Sequence, residues 1–84
     1  MDHLQKLQEA FGNHLRKLRE DRGLSLRDLA TRSDLHYNKI GQIELGKTNL
    51  KLSSIIALAE GLEIEPKELL NFNFQLTISE KVAH

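Results

Sequence analysis

Residues 25–46 constrain the fold of this chain more than any other stretch, because two short helical patterns lie there on either side of a polar turn. Ser25 is a favourable N-cap, and Asp28 three residues later can reach back to complete a capping box. The first pattern stops in the polar cluster 31–34, and Gly46 ends the second. The apolar positions recur at helical spacing, as Leu26, Leu29 and Ala30 in the first pattern and Ile40 and Ile43 in the second. The stretch predicts two short helices joined by a tight turn.

The second predicted helix carries a polar outer face, formed by Tyr37, Asn38, Lys39 and Gln42. Asn and Gln side chains donate and accept hydrogen bonds together, which matches the N6 and N7 atoms of adenine in the DNA major groove. Such a face favours the reading of base edges; the alternative is that these polar side chains are simply solvated. Gly41 in the same helix costs about 1 kcal/mol relative to alanine. Either the helix approaches DNA too closely there for a side chain, or tertiary packing tolerates the glycine.

From Phe11 to Leu70 the chain resembles the Cro/repressor-type helix-turn-helix family, also called XRE-like. The matching segments are FGNHLRKLREDRGLSLRDLA, LHYNKIGQIELGK and LSSIIALAEGLEIEPKELL. The resemblance implies an all-α fold, a compact five-helix lambda-repressor-like DNA-binding domain that contains the helix-turn-helix. It also implies a sequence-specific transcriptional regulator, similar to phage repressors or to the controller proteins of restriction–modification systems.

The resemblance also implies roles for side chains around the second helix of the motif. Base contacts are expected from Tyr37, Asn38 and Gln42. Phosphate contacts are expected from Ser25, Arg27, His36, Lys39, Lys47, Thr48 and Asn49. Two residues depart from the family pattern: Leu26 stands where a glutamine often bonds a phosphate, and His36 stands where a hydroxyl N-cap is preferred.

Arg19 and Glu44 resemble an internal ion pair of this family, one that joins the first helix to the end of the third. If such a pair is partly buried, loss of either partner leaves an uncompensated charge in the protein, which is strongly destabilising. The alternative, a solvated surface pair, is worth at most about 1 kcal/mol. We expect the internal pair, and we expect neither residue to read bases directly.

Three further helices are predicted outside this motif. A long amphipathic helix ends before Gly23, with apolar residues three and four apart at Leu4, Leu7, Phe11, Leu15 and Leu18. A fourth helix is expected from Leu50 to Gly61, with an inward face of Leu52, Ile55, Ile56, Leu58 and Ala59. Its start is poorly capped, because Lys51 stands where a serine or threonine is expected. Pro66 is suited to the first turn of a short fifth helix.

The C-terminal tail changes to a period of two, since polar and apolar residues alternate over residues 71–79. This pattern predicts a short β-strand or arm, and it divides the chain into a helix-turn-helix DNA-binding domain at 1–71 and an extended dimerisation arm at 72–84. A lone strand leaves backbone groups unpaired, so pairing with a second copy is the expected solution. The predicted dimer interface is Phe72, Phe74, Leu76 and Ile78. The alternative is an arm that packs on its own helices.

The formal net charge is zero, but the charges are unevenly distributed along the chain. Ten Lys and Arg residues against seven Asp and Glu lie up to Lys51, and two against five lie from Leu52 onward. The basic part coincides with the helix-turn-helix, where DNA phosphates are expected. We therefore expect double-stranded DNA as the partner, bound by a homodimer at a palindromic operator.

Other classes of function find little support in the sequence. There is no cysteine, and the four histidines, at positions 3, 14, 36 and 84, lack metal-ligand spacing. Neither a glycine-rich phosphate loop nor an apolar run long enough to span a membrane is present. We expect a cytoplasmic protein that is not an enzyme, with no cofactor, no small-molecule effector and no membrane association. The remaining alternative is a protein–protein interaction module, such as an antitoxin-like partner that uses the strand at 72–78.

Overall fold

The computed structural model describes residues 2–74, and the regular elements within them are five helices. These are α1 (Asp2–Asp21), α2 (Leu26–Ser33), α3 (Tyr37–Glu44), α4 (Leu52–Leu62) and α5 (Pro66–Leu69). The five-helix all-α fold is thus confirmed. The strand is not confirmed: residues 71–74 form no strand, and residues 75–79 lie outside the described part. Within residues 2–74, no helix is long and apolar enough to cross a membrane.

The hydrophobic core lies where the five helices converge. α2 packs against α4, and α1 packs against α3. An isolated helix of eight residues, the length of α2 and of α3, is unstable in water, so burial of its apolar side supplies the stability. The enclosed residues come from every helix: Phe11, Leu15, Leu29, Ile40, Ile43, Leu58, Ala59, Leu62 and Leu69.

α2 begins with the capping box that the sequence predicts. The Ser25 hydroxyl oxygen accepts a hydrogen bond from the Asp28 backbone N–H at 3.0 Å, and the Asp28 carboxylate accepts one from the Ser25 N–H at 2.9 Å. The bond from the Ser25 N–H lowers the pKa of Asp28, because it favours the ionised carboxylate. At the other end of α2, Asp34 adopts a left-handed backbone with φ of 60°, which turns the chain toward α3. Local chemistry therefore decides both ends of α2.

α1 and α3 approach each other closely at Gly12. A Cβ atom added at this position would overlap the backbone carbonyl oxygens of Ile43 and Glu44, at the end of α3. Gly46, with φ of 73°, then turns the chain away from the helix. The close packing of α3 on α1 thus depends on the absence of a side chain at residue 12.

α4 presents part of its predicted inward face to solvent. Leu52 and Ile56 are 76% and 41% exposed, so the expectation that both face the core is wrong. The buried side of α4 follows Ile55 and Leu58 instead, because a helix that packs on one side has a single buried stripe. Lys51 makes no side-chain cap at the start of α4, as predicted.

After α5 the chain folds back onto α1. The ring of Phe72 contacts Phe11 edge-on, with 6.2 Å between centroids, and its centroid lies 5.4 Å from that of His14. His14 Nε2 is hydrogen-bonded to the Glu68 carbonyl oxygen at 2.7 Å, which ties α1 to α5. Phe72 is therefore half-buried against its own chain, as expected for an arm that packs on its own helices. Of the other residues assigned to the dimer interface, Phe74 is half-buried, and Leu76 and Ile78 lie outside the described part.

Candidate nucleic-acid interface

α3 buries one face and exposes the other. Ile40 and Ile43 are enclosed in the core, whereas Asn38 and Gln42 are exposed, one turn apart on the opposite side. Tyr37, at the start of the helix, is half-buried. The structure thus places the side-chain amides of both residues on an accessible helix face, where they can meet a partner.

A stack of three side chains joins the starts of α2 and α3. The Arg27 guanidinium carbon lies 4.3 Å from the centroid of the Tyr37 ring, and the His36 ring stacks on Tyr37 with 6.2 Å between centroids. A cation over an aromatic face stabilises by about 0.5–1 kcal/mol at an exposed site. The stack holds Tyr37 against α2, while Arg27 and His36 stay exposed. No sequence spacing signals this contact, because Arg27 and Tyr37 belong to different helices.

The start of α2 offers a second polar position next to this stack. Ser25 is exposed, and its hydroxyl oxygen already accepts from Asp28, which leaves the hydroxyl proton free to donate to a phosphate. Leu26 behind it is half-buried and carries no polar side-chain atom. His36 makes no side-chain cap on α3, as its identity predicts.

The loop after α3 holds the last three residues assigned to phosphates. The backbone N–H of Lys47 donates to the Gln42 carbonyl oxygen at 3.0 Å and is therefore engaged within the protein. The Thr48 hydroxyl donates to the Asn49 carbonyl oxygen at 3.2 Å. The ammonium of Lys47 and the side-chain amide of Asn49 remain as the accessible donors of this loop, since both residues are exposed.

Arg19 of α1 and Glu44 of α3 form a buried, bidentate ion pair. The Nε and Nη2 atoms of Arg19 donate to the two carboxylate oxygens of Glu44 at 2.7 and 3.0 Å, and Nη1 donates to the Leu24 carbonyl oxygen at 2.7 Å. The two side chains are only 11% and 6% exposed. The hydrogen bonds to Glu44 raise the pKa of Arg19 above its usual value, so the guanidinium stays charged. The pair holds the end of α3 to α1 and leaves neither side chain free to read bases.

Three cationic residues beside α3 are exposed and are not engaged in the ion pairs of the described side chains. Exposed ion pairs among the described side chains join Arg16 to Glu20, Lys17 to Asp21 and Arg32 to Glu63, at 3.3, 3.4 and 3.8 Å. Arg27, Lys39 and Lys47 are exposed and take part in none of these pairs. Their charges are accessible to phosphates, which supply most of the affinity of proteins for DNA.

Exposed acidic residues of the second half lie outside the helix-turn-helix in the chain. Glu60, Glu63 and Glu65 are exposed on α4 and on the segment that follows it, and α4 packs on α2 and α5. One of these carboxylates, that of Glu63, lies 3.8 Å from Arg32 of α2, so the acidic segment after α4 also contacts the helix-turn-helix. Among residues 2–74, no group of three or more His, Asp or Glu side chains is arranged to hold a metal ion.

Comparison with known proteins places this geometry in a family. Residues 10–72 match the family described as a helix-turn-helix domain. The control protein C.BamHI from Bacillus amyloliquefaciens is 39% identical over 49 residues, which cover 58% of this chain but only 60% of that relative's length. The structure of the restriction–modification controller protein C.AhdI from Aeromonas hydrophila superposes with a TM-score of 0.72 at 44% identity, covering 74% of this chain and 94% of that one. The clp gene regulator ClgR from C. glutamicum superposes with a TM-score of 0.71 at 28% identity, covering 76% of this chain and 83% of that one.

Proposed function

Because this chain belongs to the helix-turn-helix domain family, we propose that it is a sequence-specific transcriptional regulator of the restriction–modification controller type, acting in the cytoplasm on double-stranded DNA. The observation that carries the proposal is the division of α3 into a buried apolar face and an exposed face with Asn38 and Gln42. The 44% identity to a restriction–modification controller over most of that protein favours the controller type over a phage repressor.

In the proposed complex, α3 lies in the major groove and its outer face meets the base edges. Asn38 and Gln42 each present an amide that can bond adenine through two hydrogen bonds. Tyr37 contacts a base next to those bound by Asn38 and Gln42, and its stack with Arg27 fixes the orientation of its ring. The buried pair of Arg19 and Glu44 keeps α3 at a constant angle to the rest of the domain, and so fixes the register of the contacts.

Phosphate contacts surround this face. Arg27, Lys39 and Lys47 supply charge, because no described carboxylate compensates them in an ion pair. The other polar side chains assigned to phosphates are those of Ser25, His36, Thr48 and Asn49, of which the Thr48 hydroxyl would have to exchange its hydrogen bond to the Asn49 carbonyl oxygen for one to a phosphate. Such contacts set affinity and register without selecting a sequence, whereas the α3 amides provide the selection.

The proposal includes a homodimer on a two-fold symmetric operator, whose half-sites are about 34 Å apart, one turn of DNA. We assign the interface to the C-terminal arm with Phe74, Leu76 and Ile78. Phe72 contributes less, since its ring already packs on Phe11 of its own chain. A two-fold axis places the same arm residues of both copies together, so that apolar side chains of one arm would pack on those of the other.

Selection of bound duplexes from a random DNA library tests the function directly, with the wild type and an Asn38→Ala/Gln42→Ala variant run in parallel. We expect the wild type to enrich a palindromic motif. The variant should bind DNA weakly and enrich no motif, because it keeps the phosphate contacts and loses the amides. If the wild type enriches nothing at low salt, the proposed function is wrong, and the alternative of a protein–protein interaction module gains support.

Light scattering on Phe74→Asp tests the dimer. We expect a folded monomer with much weaker operator binding, because the substitution places a charge in the proposed interface. Leu52→Asp is the matched control, since Leu52 is also apolar and 76% exposed but lies on α4. A dimer that survives Phe74→Asp and dissociates in Leu52→Asp would move the interface from the arm to α4.

A further inference from the structure

The first turns of α1 contact the loop that follows α3. α1 begins at Asp2, whereas the match to the helix-turn-helix domain family begins at residue 10. The 46–49 loop, as we call it, carries three side chains to which phosphate contacts are assigned above: Lys47, Thr48 and Asn49. The loop is therefore contacted by residues of this chain that lie before the family match.

Gly46 places the start of the 46–49 loop against α1. It is buried, its φ is 73°, and a Cβ atom added there would lie 2.8 Å from Glu9 Cα and 3.0 Å from Glu9 N. Both the left-handed backbone and this close approach require glycine. The Gly46 carbonyl oxygen is thereby brought within reach of α1, where it accepts a hydrogen bond from Gln5 Nε2 at 3.2 Å.

Gln8 binds both ends of the same loop with a single side chain. Its Nε2 donates to the Gly46 carbonyl oxygen at 3.3 Å, and its Oε1 accepts from the Asn49 backbone N–H at 3.1 Å. The neighbours assign this orientation of the amide, because the opposite one would place acceptor against acceptor and donor against donor. A glutamine is suited to the position, since its amide donates and accepts at once.

The two glutamines differ in how much of the loop they can hold. They are three residues apart and so share one face of α1. Gln5 is exposed, bonds only the Gly46 carbonyl oxygen of the loop, and also donates to Glu9 at 3.0 Å. Gln8 is half-buried and reaches both ends. We therefore expect the larger share of the restraint from Gln8.

Hydrogen bonds at the two ends orient the side chains between them. The Lys47 N–H bonds the Gln42 carbonyl oxygen, which ties the start of the loop to α3. The Thr48 hydroxyl bonds within the loop, so the far end depends on the bond from the Asn49 N–H to Gln8. A loop that is already ordered loses less conformational freedom when it binds a partner.

We propose that Gln8, assisted by Gln5, is a positioning residue for DNA binding. It fixes the 46–49 loop in the conformation that contacts the phosphate backbone, and it does not touch DNA itself. This inference rests on the proposed function. Phosphate contacts carry no sequence information directly, so the positioning raises affinity for every duplex alike.

Amide hydrogen exchange without DNA tests the contact itself. Gln8→Met keeps the length of the side chain and removes both of its hydrogen-bonding atoms. We expect the Asn49 N–H to exchange about fivefold faster in this variant, because it loses its acceptor. Asn13→Leu is the control, since it removes an exposed amide elsewhere on α1 and should leave that rate unchanged. An unchanged rate at Asn49 in Gln8→Met would overturn the proposal.

Fluorescence anisotropy on the selected operator and on a scrambled duplex tests the role in binding. We expect Gln8→Met to weaken binding about fivefold on both duplexes, and Gln5→Met to weaken it less. Asn13→Leu should bind as the wild type does. A loss confined to the operator, or an equal loss in Asn13→Leu, would overturn the role of Gln8.

Lys47→Gln distinguishes positioning from direct contact with DNA. If Gln8 acts through the loop, Gln8→Met should cost less than about twofold once the Lys47 charge is gone, because coupled residues are not additive. Fully additive losses would mean that Gln8 meets DNA itself and would overturn the proposal. A wild type that binds no duplex at low salt would overturn the proposed function. Unchanged exchange at Asn49 in a protein that binds its operator would overturn this inference alone.

Discussion

The inner and outer faces of α3 belong to one helix of eight residues, yet the side chains of the two faces differ in burial and in hydrogen bonding. On the inner face, Ile40, Ile43 and Glu44 are buried, and the Glu44 carboxylate accepts two hydrogen bonds from Arg19. On the outer face, Asn38 and Gln42 are exposed. The inner face determines the position of α3 in the fold. Residues of the outer face can be substituted with little effect on the fold. A series of substitutions can test this separation of roles.

The largest expected effect is that of Arg19→Ala on the inner face. The substitution leaves the Glu44 carboxylate buried without its partner, which costs about 3–5 kcal/mol of unfolding free energy. Urea denaturation followed by circular dichroism measures it. Arg16→Ala on the same helix is the control, because its exposed pair is worth at most about 1 kcal/mol. Similar losses in the two variants would mean that the Arg19–Glu44 pair stabilises no more than a surface pair.

Next in size is the difference between two glycine substitutions, Gly12→Ala and Gly41→Ala. The first forces α1 away from the carbonyl oxygens at the end of α3 and should cost about 1–3 kcal/mol. The second places a methyl group in open space and should stabilise the helix by up to about 1 kcal/mol. Thermal melts of the two variants therefore should shift in opposite directions. Shifts of the same sign would contradict either the tight packing at residue 12 or the open space at residue 41.

A smaller effect is expected at the start of α2, where Ser25→Ala should cost about 1 kcal/mol through loss of the cap. Its partner Asp28 adds a dependence on pH. Because folding lowers the pKa of Asp28, the ionised carboxylate is favoured in the folded state. Its contribution is complete above the ordinary Asp pKa of about 3.9 and is lost as the pH falls through the lower value of the folded state. Thermal midpoints measured between about pH 5 and pH 2 should fall less steeply in Asp28→Asn than in the wild type.

The smallest effect on stability is expected on the outer face. Gln42→Ala should change the unfolding free energy by less than about 0.5 kcal/mol, because the residue is exposed. The binding free energy of the Gln42→Ala variant for the selected operator should weaken by about 1–3 kcal/mol, whereas its binding to a scrambled duplex should change little. Fluorescence anisotropy on both duplexes measures this difference. Equal losses on the two duplexes would assign Gln42 to the backbone instead of a base.

Local signals in the sequence anticipated much of the framework. Ser25 and Asp28 form the expected capping box, Pro66 begins α5, and Gly46 follows α3 with a positive φ. Each of these depends on a residue and its immediate neighbours, so its consequence can be read without knowledge of the rest of the fold. The family resemblance supplied the relation between Arg19 and Glu44, which are 25 residues apart and which no local pattern connects.

Other features depend on how the helices pack. The period of α4 indicates an apolar helix but not which of its apolar residues meet the core, and Leu52 and Ile56 are exposed. Alternation in the tail predicts a strand, yet Phe72 packs on Phe11 of the same chain. The contact of Arg27 with Tyr37 and the recess beside Gly41 likewise form between helices.

The sequence by itself therefore determined the helices, their caps and the polar character of the α3 face, because propensity, capping and periodicity act over a few residues. Only the tertiary structure decided which apolar side chains are enclosed, that Arg19 and Glu44 form a bidentate pair, and that Gly41 borders an open recess. These properties depend on distances between residues far apart in the chain. The packing of all five helices together sets these distances, and no single segment of the sequence specifies them.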